Sequence, residues 1–146
     1  VIKRLNKRKQ RGNKYQTKQF DKIIDDGFLP NKIILLGFSM GASVSLFYGL
    51  RLDFSLKGII PIAAMIRDTE ELLNTSSIES KQTPILMIHG KKDSVVDYHK
   101  SINLNNILKN NGFTSHLQIV ESGHIINIPA SKLVNEFIKS GSIANV

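Results

Sequence analysis

The sequence has 146 residues, of which 41% are hydrophobic and 22% are charged, a composition typical of one globular domain with its own core. It contains no cysteine, which excludes disulfides, thiolate nucleophiles and cysteine zinc sites and fits a cytoplasmic location, and no apolar run approaches the roughly 20 residues of a membrane span. The net charge of +8 comes from the N-terminus, because residues 1–22 hold nine of the twenty basic side chains and one acidic side chain. We therefore predict a basic arm over 1–16 and a neutral domain over 17–146.

Helices and strands alternate along the predicted domain. A helix over 17–27 is followed by four units, each a strand and then a helix. The predicted strands are 32–38, 57–64, 84–89 and 115–120, and the helices that follow them are 41–52, 68–73, 98–110 and 129–139. The continuous apolar run at 32–38 is typical of a strand buried on both faces. This order predicts an α/β fold with a parallel sheet, helices on both faces, and chemistry beyond the carboxyl ends of the strands.

A serine lies between two glycines where the first strand meets its helix. The stretch Gly37-Phe38-Ser39-Met40-Gly41 matches the nucleophile elbow, in which a serine on a tight, strained turn projects its hydroxyl above the sheet. We expect a side chain at either glycine position to clash with the neighbouring strand or helix. Ser39 is the candidate nucleophile, and the Met40 N–H at the start of the helix is the candidate donor to an oxyanion.

A serine nucleophile needs a base and an orienting acid, which in this fold follow it in the order acid, then histidine. Asp93 comes just after the third predicted strand, and His124 comes after the fourth. Asp97 is a weaker candidate acid because an N-cap role explains it. The other three histidines have structural interpretations: His89 ends a strand as a hydrogen-bonding residue, His99 falls in a helix, and His116 starts a strand. No residue spacing indicates a metal site or a phosphate-binding loop.

Three stretches around these residues resemble the phospholipase/carboxylesterase family of α/β-hydrolases, which includes the acyl-protein thioesterases. They are "KIILLGFSMGASVSL", "TPILMIHGKKDSVVDY" and "SGHII". The resemblance implies an α/β-hydrolase fold and a cofactor-free serine hydrolase with Ser39 as nucleophile, Asp93 as acid and His124 as base. Dienelactone hydrolases fit less well because they typically carry a cysteine nucleophile. The family often has Gln and Gly where this chain has Met40 and Ala42, a change that removes no catalytic group.

The resemblance also implies earlier strands that this sequence does not contain before residue 32. In the family, a His-Gly loop after one of those strands supplies half of the oxyanion hole. We therefore expect a partial domain, the C-terminal half of the fold with about four strands, and the loss of one oxyanion donor typically slows a reaction by about 10²–10³. Two explanations stay open: a piece of a longer or interrupted hydrolase, or pairing of the exposed sheet edge with another chain, such as a homodimer.

Three functions are compatible with these features. The first is hydrolysis of a small-molecule or lipid acyl ester or thioester through an acyl-enzyme. The second is a catalytically inactive fragment of such a hydrolase. The third is an anionic-surface or nucleic-acid binder that uses the basic arm. Because Tyr15 is the one aromatic residue in that arm, stacking on single strands is poorly supported and we predict no specific nucleic-acid partner.

Overall fold

The computed structural model describes residues 14–142, with side chains from residue 18 onward. Within this range the strands are β1 Ile34–Phe38, β2 Gly58–Ile62, β3 Ile85–Gly90 and β4 Ser115–Val120. The helices are α1 Lys14–Asp25, α2 Met40–Leu50, α3 Thr69–Asn74, α4 His99–Asn110 and α5 Ile128–Ser140, and two 3-10 turns lie at Pro30–Lys32 and Glu79–Gln82. None of these helices is long and apolar enough to span a bilayer.

The four strands form one parallel sheet in the order β1-β2-β3-β4. Ile34 pairs with Gly58 at the start of β1 and β2, and Ile85 pairs with Ser115 at the start of β3 and β4. Every residue of β2 and β3 is buried. The parallel sheet predicted from the strand–helix alternation is confirmed, and all four carboxyl ends meet at one edge.

Alternate residues of the two central strands face two separate apolar clusters. Ile59, Ile85 and Met87 belong to the first cluster, where α1 to α4 pack against the sheet. The second cluster lies on the opposite face and is closed by one helix, α5; its sheet residues are Ile60, Ile62, Leu86 and Ile88. This period of two follows from the strand pleat and gives the three layers that the sequence predicted.

Local side-chain chemistry sets the helix ends. The Asp68 Oδ1 accepts the Glu71 N–H at 2.7 Å before α3, and the Asn127 Oδ1 accepts the Ala130 N–H at 3.0 Å before α5. Such caps satisfy helix N–H groups that have no partner within the helix. At the other end of α5, Gly141 has φ 62°, the left-handed conformation that commonly terminates a helix.

The structure corrects the prediction for the first strand. Lys32 lies in a 3-10 turn, and β1 is not buried on both faces, since Leu36 is 48% exposed. Leu36 is exposed because β1 is an edge strand: no strand within residues 14–142 pairs with its outer edge. The first helix also starts earlier than predicted, because it begins at Lys14 rather than at residue 17. The division into an arm over 1–16 and a domain over 17–146 stays a prediction. The rest of the arm lies outside the described residues.

The outer edge of β1 borders an open apolar groove of about 250 Å³. It lies between α1 and α2, and its lining includes Ile23, Leu36, Gly41 and Val44. A strand edge with unpaired backbone groups beside apolar side chains is a template for pairing with another strand. The homodimer expected through this edge stays a prediction.

Removal of the Phe137 side chain is expected to be among the most destabilising changes on α5. Phe137 is fully buried in the cluster that α5 closes, so Phe137→Ala leaves a cavity and lowers the free energy of unfolding by about 3–5 kcal/mol. Ile138→Ala, at a neighbouring position that is 43% exposed, is the matched control and should cost less than about 1 kcal/mol. Urea denaturation checks both values, and equal losses would contradict this description of the core.

Candidate active site

Ser39 occupies the turn between β1 and α2 in a conformation that few residues adopt. Its φ is 54° and its ψ is −117°. The Ser39 N–H donates to the Ile62 carbonyl at 2.8 Å, which fixes the turn to the end of β2. The Ser39 carbonyl accepts the Ala42 N–H at 3.1 Å and so starts the helix, while the hydroxyl makes no capping bond. The backbone is thus anchored on both sides and the hydroxyl is available for another partner.

The two glycines of the elbow have different roles. A Cβ at Gly37 would lie 2.1 Å from the Gly41 carbonyl oxygen, so only glycine fits there. A Cβ at Gly41 would meet nothing within 4 Å. The prediction of a clash is therefore confirmed for Gly37 and wrong for Gly41, whose free side faces the groove beside β1.

The structure brings the three predicted site residues together at the carboxyl edge of the sheet. The His124 Nε2 lies 3.0 Å from the Ser39 Oγ, and the His124 Nδ1 lies 2.7 Å from the Asp93 Oδ2. The loops after β3 and β4 are joined by their backbones, since the Lys92 N–H donates to the Ser122 carbonyl at 2.9 Å. This junction is close-packed, because a Cβ at Gly90 would lie 2.4 Å from the Gly123 carbonyl oxygen.

The hydrogen bonds of Asp93 define its charge and the tautomer of His124. The Asp93 Oδ1 accepts the backbone N–H groups of Val95 and Val96, each at 2.8 Å. Burial raises the pKa of Asp93, but the bonds from Val96, His124 and Val95 outweigh burial, and the net effect is a lowered pKa. An ionised Asp93 accepts the Nδ1–H of His124. The His124 Nε2 is then left as an acceptor for the Ser39 hydroxyl.

The rival candidates lie elsewhere or have other partners. The exposed Asp97 Oδ1 accepts the His99 N–H at 2.9 Å, beside the first turn of α4. The N-cap position itself belongs to Tyr98, one residue later than predicted for Asp97. His116 contacts Gln118 within β4, and His89 is buried with hydrogen bonds at both ring nitrogens. No group of three His, Cys, Asp or Glu side chains that could hold a metal occurs in residues 14–142.

Two features of the site were missed from the sequence. The ring of Phe38, the first x of the elbow, lies 4.8 Å from the His124 ring, centroid to centroid. Large apolar side chains close in sequence to the three polar residues are also exposed instead of buried: Met40, Val95, Ile125, Ile126 and Ile128. Their positions in the sequence could have indicated that they lie near the site, because each follows Ser39, Asp93 or His124 by four residues or fewer. We call these five side chains the apolar collar.

The parallel sheet with helices on both faces and the strained strand-to-helix turn at Ser39 fit the α/β-hydrolase fold. The model of the phospholipase/carboxylesterase family matches residues 3–141. The chain therefore belongs to the phospholipase/carboxylesterase family.

Relatives and solved structures agree with this assignment. The chain is 30% identical over 102 residues to acyl-protein thioesterase 1 of Gibberella zeae, covering 68% of this chain and 43% of that protein. It is 34% identical over 99 residues to acyl-protein thioesterase 1 of Neurospora crassa, covering 63% of this chain and 38% of that protein. The chain thus spans about two fifths of the length of these relatives.

Two crystal structures match the fold closely. Arabidopsis thaliana SOBER1 superposes with a TM-score of 0.80 at 26% identity, covering 85% of this chain and 60% of that chain. Esterase PE8 superposes with a TM-score of 0.76 at 33% identity, covering 84% of this chain and 56% of that chain. The four-stranded sheet described here is therefore part of a larger fold in these structures.

Alanine at the two elbow glycines should change stability in opposite directions. Gly37→Ala forces a backbone clash and should lower the free energy of unfolding by about 1–3 kcal/mol. Gly41→Ala adds a methyl group in open space within α2 and should raise it by up to about 1 kcal/mol, since alanine favours a helix over glycine. Urea denaturation of both variants tests the contrast, and a larger loss for Gly41→Ala would contradict the geometry.

The lowered pKa of Asp93 predicts a pH-dependent contribution to stability. The ionised form is favoured by folding, so its contribution is fully present above the ordinary carboxyl pKa of 3.8 and is lost as pH falls through the lowered folded value. The unfolding free energies of the wild type and Asp93→Asn should therefore converge below about pH 4. Denaturation of both proteins from pH 7 to pH 3 measures this difference. A difference that widens towards acid would contradict the sign.

Proposed function

We propose that this chain carries the catalytic residues of a serine hydrolase that cleaves carboxylic esters or acyl thioesters. Ser39 is the nucleophile, His124 the general base and Asp93 the acid that orients it. The observation that carries the proposal is the continuous chain of contacts, at 3.0 Å from Ser39 to His124 and 2.7 Å from His124 to Asp93. These distances are within hydrogen-bond reach, as proton transfer from a nucleophile to its base requires.

The reaction begins with transfer of the Ser39 proton to the His124 Nε2 as the serine oxygen attacks the acyl carbon. The tetrahedral intermediate collapses when the protonated His124 gives that proton to the departing alcohol or thiol. Water then repeats the sequence on the acyl-Ser39 ester and releases the carboxylic acid. Asp93 stays ionised throughout and stabilises the charged imidazole, for which its lowered pKa suits it.

The negative charge of the intermediate needs donors near Ser39. Met40 is the first residue of α2, so its N–H belongs to the helix end whose amides have no acceptor within the helix. The positive end of the helix dipole adds to this effect. We assign the Met40 N–H as an oxyanion donor.

The apolar collar supports an acyl substrate. Met40 is 79% exposed, Val95 69% and Ile125 60%, and each is a close sequence neighbour of a proposed catalytic residue. Exposed apolar side chains grouped at one place on a protein typically mark a binding surface. An acyl chain attached to the carbonyl attacked by Ser39 would cover them. The named relatives are acyl-protein thioesterases, which supports a thioester as one substrate class.

Labelling with a fluorophosphonate probe tests the proposal. The probe reacts with an activated serine and not with an ordinary hydroxyl. The wild type should be labelled at one site and should hydrolyse p-nitrophenyl esters and acyl thioesters, while Ser39→Ala should show neither reaction. His124→Gln should lower kcat by about 10⁴-fold or more, as loss of the base does in related triads.

His116→Gln serves as the matched control because this histidine lies in β4 outside the proposed site. It should leave the labelling rate unchanged. If a folded wild-type chain takes up no probe and cleaves no ester, the chain is the inactive fragment that we gave as the alternative, and the hydrolase proposal is wrong. Labelling that persists in Ser39→Ala would equally contradict it.

A further inference from the structure

His89 lies at the carboxyl end of β3, where the sequence would otherwise continue as an apolar core. It follows Ile85, Leu86, Met87 and Ile88, and its side chain is fully buried. Burial of an imidazole is unfavourable unless its nitrogens find hydrogen-bond partners. A leucine would fill such a position without this cost. The partners of His89 therefore indicate what the ring contributes.

Both ring nitrogens have hydrogen-bond partners, and the partner of the Nε2 fixes that nitrogen as a donor. The Nε2 lies 2.9 Å from the Val96 carbonyl oxygen, which can only accept, so the Nε2 carries the proton. The Nδ1 lies 2.7 Å from the Ser101 Oγ. The Ser101 hydroxyl can donate its proton to the Nδ1. The ring is thereby held between β3, the loop that follows it and α4.

The same ring contacts the proposed catalytic acid in two ways. Its Nε2 lies 3.2 Å from the Asp93 Oδ2, the oxygen that also accepts the His124 Nδ1–H. In addition, Val96 links the ring to the other carboxylate oxygen. Its carbonyl accepts the His89 Nε2–H, and its own N–H donates to the Asp93 Oδ1 at 2.8 Å. His89 therefore faces one carboxylate oxygen directly and holds the donor of the other.

We propose that His89 is a positioning residue that sets the place and orientation of the Asp93 carboxylate beneath His124. This inference rests on the proposed function of Ser39, Asp93 and His124. It adds His89, a buried residue beside Asp93, to the site. His89 touches no substrate. Its Nε2–H places a fixed partial positive charge beside Asp93, and its bond to Val96 holds the loop that carries the acid.

Three substitutions separate positioning from packing. His89→Gln has an amide long enough to donate to the Val96 carbonyl and should keep kcat within about threefold of the wild type. His89→Asn can bond Ser101 but is too short to reach Val96. His89→Leu has no donor at all. For both of these we expect kcat to fall by about 10²-fold with KM little changed, as for a small misplacement of a catalytic group.

Ser115→Ala is the matched control for loss of a buried hydrogen bond. The Ser115 hydroxyl donates to the Asn105 Oδ1 at 2.7 Å between β4 and α4, away from the loops of the site. This variant should lose stability without losing kcat. Urea denaturation of each variant shows that it is folded under the assay conditions, and the polar His89→Asn keeps the test possible where His89→Leu does not fold.

A spectroscopic readout makes the result independent of turnover. The hydrogen bond from His124 to the ionised Asp93 should give the Nδ1 proton a strongly downfield resonance in the proton NMR spectrum, absent in Asp93→Asn. That resonance should persist in His89→Gln and Ser115→Ala and broaden or disappear in His89→Asn. If folded His89→Asn and His89→Leu keep both the resonance and kcat, His89 is not a positioning residue. A wild type that shows the resonance but hydrolyses no ester would contradict the hydrolase proposal, and the resonance in the variants would still decide the role of His89.

Discussion

The strained turn at Ser39 is the constraint on which the rest of the site depends. A non-glycine residue with φ 54° persists only where its surroundings hold it, and here the Ser39 N–H is bound to Ile62 while its carbonyl starts α2. Gly37 is the complementary requirement, because any side chain there would meet the backbone of the helix. The parallel pairing of β1 with β2, the close start of α2 and the direction of the hydroxyl are thus one linked arrangement.

The parallel sheet then determines which other residues can reach that hydroxyl. Since β1, β3 and β4 point the same way, the loops that follow them begin at one edge, and residues far apart in sequence become neighbours. Ser39 and His124 are 85 positions apart yet lie in hydrogen-bond contact. Backbone hydrogen bonds between the segments after β3 and β4 hold the loops of Asp93 and His124 side by side.

Most of the architecture could be predicted because it follows from local patterns. Buried apolar runs marked the strands, and the chain order of a serine in an elbow, an aspartate and a histidine indicated Ser39, Asp93 and His124. Features that depend on what lies next to an element were harder to predict. The apolar run of β1 reads like a central strand, and only its place at the sheet edge exposes Leu36. The space around Gly41 is open for the same reason, because Gly41 borders the groove beside the edge strand β1.

His89 illustrates a second limit of the sequence. Its position at a strand end indicated a structural hydrogen-bonding residue, which agrees with its contacts to Ser101 and Val96. Its proximity to Asp93 depends on how the loop after β3 folds back, which no periodicity encodes. The apolar collar was missed for a similar reason: isoleucines after a strand look like core residues until the loop carries them to the surface.

The dependence of one sheet face on a single helix has a consequence for partial unfolding. In the described part of the chain, α5 alone closes the second apolar cluster, and the loop that holds His124 runs directly into the first turn of α5. Local opening of a protein proceeds through cooperative units smaller than the whole. We expect a fluctuation that lifts α5 from the sheet to strain the short loop between His124 and α5 and to draw His124 away from Ser39. The contact between His124 and Ser39 is therefore coupled to the docking of α5 on the sheet.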